Sequence, residues 1–141
     1  VLDLFAGTGQ LGLEALSRGA ERCTFVDQRR EAAALVRENV KLCRFEDRAR
    51  VAQEEALSFL SSCREKFDVV FLDPPYQSGL LEKSLETLTR FDILREYGII
   101  VCESGTEWTV PPLAPPYEAG REYRYGQIKL TVCRRAGSVK Q

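Results

Sequence analysis

Asp73-Pro74-Pro75-Tyr76 places a carboxylate, a stiff carbonyl-bearing turn and an aromatic ring within four residues. The apolar run Val69-Val70-Phe71-Leu72, which reads as a buried strand, delivers them. Two prolines fix φ and supply no backbone N–H, so the chain leaves the strand stiffly and its carbonyls are not consumed by a helix or ladder. The set suits a flat, nitrogen-bearing ring. Asp73 and the Pro74 carbonyl accept hydrogen bonds from an amino group while Tyr76 stacks on the ring face. For the tetrapeptide alone, a proline-rich strand exit with a solvent-facing Asp is the plain alternative.

The opening of the chain adds a second constellation. Val1-Leu2-Asp3-Leu4-Phe5 is a short apolar strand, followed by Ala6-Gly7-Thr8-Gly9-Gln10-Leu11-Gly12 with Gly-x-Gly-x-x-Gly spacing. A helical pattern begins there, with Leu11, Leu13, Ala15 and Leu16 apolar and Gly19 as its stop. Gly7 and Gly9 permit a tight turn and close backbone approach, and Gly12 lets helix and strand pack closely. Asp27 falls 20 residues after Gly7, at the end of a second strand, Cys23-Thr24-Phe25-Val26, where an acid accepts hydrogen bonds from ribose hydroxyls. This geometry serves dinucleotides and adenosyl compounds alike. Asp3, just before the glycines, would repel a pyrophosphate and attract an ammonium or a sulfonium.

These residues need a frame, and the rest of the chain supplies alternating strands and helices. The pattern implies a doubly covered parallel sheet. Residues 29–43 carry Ala32, Leu35, Val36, Val40 and Cys43 at helical spacing. Arg50-Val51-Ala52 is a brief third strand and Glu55 opens the next helix. Residues 67–72 form the fourth strand, 80–91 a helix and 98–103 the fifth strand. Residues 111–116, Pro-Pro-Leu-Ala-Pro-Pro, belong to a loop. The tail from Glu118 to Arg134 alternates as a hairpin that closes the sheet antiparallel. Gly7, Asp27, Glu55 and Asp73 all fall at carboxyl ends of strands, where open parallel sheets bind ligands. At Glu54-Glu55 two readings stay open: a contact to an adenine amino group, with the Ala56 N–H beside it, or an acid that complements the helix dipole.

With these residues in view, the chain resembles the class I S-adenosylmethionine-dependent methyltransferases. Asp3 to Gly9 looks like their first motif, Asp27 like the ribose-binding acid, and Asp73 to Tyr76 like the motif of amino-group methyltransferases. More narrowly, Leu2 to Gly9, Leu11 to Ala20, Phe71 to Tyr76 and Tyr125-Gly126-Gln127-Ile128-Lys129-Leu130 resemble the RsmD-type family, over residues 1 to about 135. The resemblance implies a Rossmann-like α/β fold, mostly parallel, with seven strands, helices on both faces and a C-terminal antiparallel hairpin. It implies methyl transfer from S-adenosylmethionine, leaving S-adenosylhomocysteine, to the N2 amino group of a guanine in 16S small-subunit ribosomal RNA. The RNA is either naked or within a partly assembled 30S particle. Carried over residue by residue, it assigns Asp73, Pro74 and Tyr76 to catalysis. Asp3, Phe5, Ala6, Gly7, Thr8, Gly9, Asp27, Gln28, Glu55, Ala56 and Asp73 fall to the cofactor. A base inside a helix cannot reach such a pocket, so the target nucleotide must be flipped or unpaired and stacked on Tyr76. The family also has a stretch before the first strand, so the chain reads as a single methyltransferase domain lacking its N-terminal segment.

Composition bounds the reading. With 141 residues and 44% hydrophobic content the chain makes one domain with an adequate core. No apolar run approaches a membrane span. Five cysteines without a Cys-x-x-Cys pair, and no histidine, argue against zinc and for reduced thiols in a cytoplasmic protein, which is expected to be a monomer. The net charge of −1 is low for an RNA enzyme, but it is uneven. Residues 121–141 carry six Arg or Lys against one Glu, with Tyr123 and Tyr125 interleaved, and could touch a phosphate backbone or form a charged hairpin edge. Three other readings stand beside this one. A DNA amino-methyltransferase shares the tetrapeptide but needs a recognition region for which no interval is long enough. A non-catalytic adenosyl-binding scaffold would not need the amino-group pocket, and a protein-glutamine methyltransferase resembles Asn at position 73.

Overall fold

In the computed structural model, which describes residues 1–75 and 78–137, the three-residue strand β1 (Leu2–Leu4) lies inside a seven-stranded sheet, third from one edge. The chain continues through α1 (Gln10–Ser17), β2 (Cys23–Val26), α2 (Arg30–Leu42), β3 (Ala49–Ala52) and α3 (Ala56–Ser62). It then forms β4 (Phe67–Leu72), α4 (Leu80–Arg90), β5 (Leu94–Gly105), β6 (Tyr117–Tyr125) and β7 (Ile128–Arg135). The strand order is β3-β2-β1-β4-β5-β7-β6. β1 to β5 pair in parallel, while β7 runs antiparallel to both β5 and β6. Chain order reverses between β1 and β4, and this switch opens a crevice at the carboxyl ends of the strands.

Side-chain alternation along β1 sets the two faces. Leu2 and Leu4 join a core with Phe59 and Leu60 of α3 and Leu81, Leu85 and Leu88 of α4. Asp3 points to the opposite face, toward α1. There Leu16, Cys23, Phe25, Val36 and Val40 form a second core under α1 and α2. α2 places Glu31 in its first turn and Lys41 in its last, in line with the helix dipole, and buries Ala32, Ala33, Val36 and Val40 along one stripe.

β4 has the expected bounds, and β5 begins four residues earlier than the Gly98 expected from the apolar pattern. The reason is a bulge. The β4–β5 register shifts between Phe67 and Val69, Tyr97 takes φ 63°, and a Cβ at Gly98 would come within 2.9 Å of the Arg95 carbonyl. Arg95 and Glu96 therefore belong to a strand their charge disguised. At the same end of the sheet, Asp92 accepts hydrogen bonds from the Tyr117 hydroxyl (2.6 Å) and from Arg135 Nε and Nη2 (2.8 and 3.0 Å), with Lys66 Nζ at 3.5 Å. The Arg135 bonds, with help from Tyr117 and Lys66 against the cost of burial, hold the Asp92 carboxyl well below the usual carboxylate range. This cluster latches the start of β5 to β6 and β7.

Gly12 is the tightest point of helix–sheet packing. A Cβ there would lie 2.3 Å from the Phe25 ring and 2.7 Å from Cys23 Sγ. Gly12→Ala is expected to destabilise the protein by roughly 1–3 kcal/mol through overpacking. A chemical-denaturation midpoint measured beside wild type checks this.

Candidate active site

A cavity of about 740 Å³ opens at the carboxyl ends of β1, β2, β3 and β4, at the topological switch. The turn after β1 forms its floor. Phe5 leaves the strand at φ 68°, a conformation that costs a side-chain-bearing residue energy, and Gly7 and Gly9 follow at φ 60° and 83°. The Gly9 N–H closes the turn on the Ala6 carbonyl at 2.8 Å, and Asn39 Nδ2 holds the Thr8 carbonyl at 2.9 Å, tying the turn to α2. Phe5, Ala6, Gly7 and Thr8 line the cavity. Gly9 is buried behind it, where a Cβ would meet Val36 at 3.3 Å. Its part is to shape the turn.

Of the remaining expected cofactor positions, Asp3, Asp27, Gln28, Glu55, Ala56 and Asp73 all line this cavity, as does Pro74. Tyr76, expected as the stacking ring, lies outside the described residues.

The acids differ in how they are held. Asp3 is buried, and its Oδ2 accepts the Gly12 N–H at 3.0 Å. Burial pushes its carboxyl up to about 7; the Gly12 bond opposes the rise and the Asp27 charge adds to it. Asp27 shows the opposite outcome. Burial alone would raise it, but the Arg29 guanidinium and N–H and the Gly7 N–H hold it below its ordinary value. Its Oδ2 accepts from Gly7 N (2.9 Å) and Arg29 Nη2 (3.2 Å), and its Oδ1 from Arg29 N (2.9 Å) and Nε (3.2 Å). A ribose diol binding here must share those lone pairs with Arg29 or displace it. Glu55 caps α3 by accepting the Leu57 N–H, so its carboxylate serves its own helix while it lines the cavity. The helix-start reading is the one this hydrogen bond matches.

Asp73 stands at the cavity mouth beside a residue the sequence reading passed over. Leu72 of β4 is in register with Cys102 of β5, so the next residues, Asp73 and Glu103, are neighbours at the ends of adjacent parallel strands. Their carboxyls share a hydrogen bond. Partial burial, then that bond and the Glu103 charge, then Asp3, push Asp73 up to about 7. The signal for Glu103 was present in its position, an acid closing an apolar strand just as Asp27 and Asp73 do.

Glu103 also lines a second cavity of about 600 Å³, together with Pro74, Pro75, Ser104, Glu107 and Trp108. Two chambers thus meet at Pro74, Pro75 and Glu103.

A family profile described as "Conserved hypothetical protein 95" matches residues 1–134. The chain belongs to this family. Two curated members are similar over nearly the whole chain. "Putative rRNA methyltransferase YlbH" of Bacillus subtilis is 35% identical, covering 96% of this chain and 76% of its own. "Ribosomal RNA small subunit methyltransferase D" of Escherichia coli is 34% identical, covering 95% of this chain and 67% of its own. The solved structure "Putative methyltransferase yhhF from Escherichia coli" superposes with a TM-score of 0.88 at 34% identity, over 97% of this chain and 76% of that one. The fold of the Conserved hypothetical protein 95 family is therefore the Rossmann-like methyltransferase fold expected from the motifs, with its antiparallel hairpin at the C-terminal end.

The acid set fits a cationic ligand. Burial raises Asp3 and Asp73 to about 7, with the Asp27 charge adding to the first and the Glu103 bond and charge, then Asp3, adding to the second, and a sulfonium or ammonium beside them favours their charged forms. With both carboxyls raised from 3.8 to about 7, proton uptake on folding stabilises the protein at low pH, and this contribution is lost as pH rises through about 7. Affinity for S-adenosylmethionine is expected to strengthen as pH rises through the same value. S-Adenosylhomocysteine, which lacks the sulfonium charge, is expected to gain less. Calorimetric titration of both compounds across that range checks the difference.

Proposed function

We propose that this chain transfers a methyl group from S-adenosylmethionine to the exocyclic N2 amino group of a guanine in small-subunit ribosomal RNA. The observation that carries the reading is the position of Asp73 and Pro74: both line the glycine-turn cavity, and Pro74 lines the chamber beside it as well. An amino group placed there meets acceptors on one side and the cofactor cavity on the other. The names of the two curated relatives supply the ribosomal substrate class.

Asp3, the turn Phe5 to Thr8, Asp27, Gln28 and the Glu55–Ala56 helix start are the residues that would hold the cofactor. It supplies a methyl carbon already activated on a sulfonium, so that a new N–C bond forms as the C–S bond breaks and the electron pair stays on sulfur. The chain's own task is alignment, and proximity of this kind is worth roughly 7–11 kcal/mol. The guanine amino nitrogen is a poor nucleophile because its lone pair is delocalised into the ring. Asp73 and the Pro74 carbonyl accept its two N–H groups, favouring the positive charge that builds on nitrogen during attack. That charge is absent from the ground state, so these acceptors favour the transition state over the bound substrate. The methylated nitrogen then sheds a proton to the Asp73–Glu103 pair or to water.

The β6–β7 turn supports contact with RNA. β7 pairs Ile128 with Gly105, so this turn stands at the same end of the sheet as the two cavities. Tyr123, Tyr125 and Ile128 are exposed there, and Arg124 stands between the two tyrosines. The basic C-terminal end is smaller than its sequence implies. Lys129 is buried against Glu122 at 3.6 Å, and Arg135 is spent on Asp92. Arg121 and Arg124 are the exposed cations of β6 left to meet phosphate.

The test is transfer of labelled methyl by the full-length protein to naked 16S RNA and to partly assembled small subunits from a strain lacking the enzyme, followed by nucleoside analysis. N2-methylguanosine supports the reading. Label found instead in N6-methyladenine or N4-methylcytosine of DNA overturns the substrate while keeping the chemistry. Asp73→Ala is expected to lower kcat by roughly a hundredfold or more, with a much smaller loss of S-adenosylmethionine affinity. Equal losses in both would refute this division of roles. Arg124→Ala is expected to weaken RNA binding and to reduce the slope of log affinity against log salt by about 1, in filter-binding titrations.

A further inference from the structure

Glu103 is held in place by more than packing. β5 carries it to the end of the sheet, one register step beyond the Leu72–Cys102 pair, where it faces Asp73 and both cavities. With Glu103 beside it, the Asp73 carboxyl is pushed up, by burial first and then by the Glu103 bond and charge. Around them Pro74, Pro75 and the Trp108 side chain line a chamber of about 600 Å³, large enough for a flipped base. A site built to bind any amino group would need only one acceptor. This one has two acid side chains side by side, and the hydrogen bonds assigned above to Asp73 and Pro74 leave Glu103 without a contact to the base.

The edges of the bases say what a pair of acceptors selects. Guanine presents N1–H and the N2 amino group side by side, all donors. The amino groups of adenine and cytosine each stand beside an unprotonated ring nitrogen, an acceptor. An ionised carboxylate opposite that nitrogen sets lone pair against lone pair. Resting on the guanine-N2 reading above, we infer that Glu103 is the specificity-determining residue of the base site, accepting the guanine N1–H while Asp73 accepts the N2 amino group. The two donors of guanine then bridge the two carboxyls. Adenine and cytosine are excluded by leaving Glu103 facing an acceptor, so selection is achieved by repulsion as well as by attraction.

The discriminating substrate is 2-aminopurine, which keeps the N2 amino group but has an acceptor at N1. Once the target guanine is mapped, RNA fragments carrying guanine or 2-aminopurine at that position are compared by kcat/KM with the full-length wild-type protein and with Glu103→Gln. Wild type is expected to prefer guanine by roughly a hundredfold, the cost of facing a charged acceptor with another acceptor. Glu103→Gln, whose amide can turn a donor toward N1, is expected to bring that preference to within about tenfold, with S-adenosylmethionine affinity retained. A wild type that methylates 2-aminopurine as well as guanine overturns the role of Glu103 and leaves the guanine-N2 reading standing. A Glu103→Gln protein that slows both substrates equally, keeping the ratio, also overturns it. Should that variant fail to fold, the wild-type ratio alone decides. Absence of N2-methylguanosine from wild-type reactions refutes the function itself and this inference with it.

Discussion

Like charges brought together at the end of a sheet are the constraint on which this molecule turns. Asp3, Asp27, Asp73 and Glu103 come from four parallel strands or their exits and all line one cavity. In a medium less polar than water they cannot all ionise without compensation. Asp27 is neutralised by Arg29 and the Gly7 N–H, Asp3 is supported by the N–H of Gly12, and Asp73 is pushed up by burial and by Glu103 beside it. The fold thus tolerates an acidic centre by keeping part of it protonated, and a cationic ligand releases that constraint. A fold built around such a centre favours a sulfonium over the pyrophosphate that similar glycine turns hold elsewhere.

The support for this arrangement is steric. Asp3 can reach the Gly12 N–H because α1 lies against β2 without a side chain at Gly12, with the Phe25 ring filling the space. The same closeness puts the turn between β1 and α1 over the cavity and leaves Phe5 in a strained backbone conformation. Electrostatics and packing are therefore coupled through one residue pair, since any change that lifts α1 from the sheet also removes the hydrogen bond on which Asp3 relies.

Much of this was legible in the chain. The Gly7, Gly9, Gly12 spacing, the acid at Asp27 and the stiff exit at Asp73-Pro74-Pro75 each carry their geometry locally, in φ preferences and strand ends, and the structure places them around one cleft. What escaped notice depended on partners distant in sequence. The start of β5 was hidden because Arg95 and Glu96 break the apolar pattern, and only the bulge at Tyr97–Gly98 lets them pair. Glu103 drew no attention because its meaning comes from register with Leu72, some 30 residues away. The basic tail looked available for RNA until Lys129 and Arg135 were found committed to Glu122 and Asp92. The occupation of Asp27 by Arg29 is likewise a matter of side-chain geometry rather than spacing.

The Asp92 cluster has a consequence for how such a protein can change. It fastens β5, β6 and β7 at the end of the sheet remote from the cavities, with Tyr117, Arg135 and Lys66 converging on one carboxylate. The residues at the other end of β5, though paired with β7, therefore do not hold the hairpin alone. Substitution between Glu103 and Thr109 can reshape the chamber while the strands stay anchored. A lineage could in this way acquire a new target base by drift in a few positions, with its architecture intact.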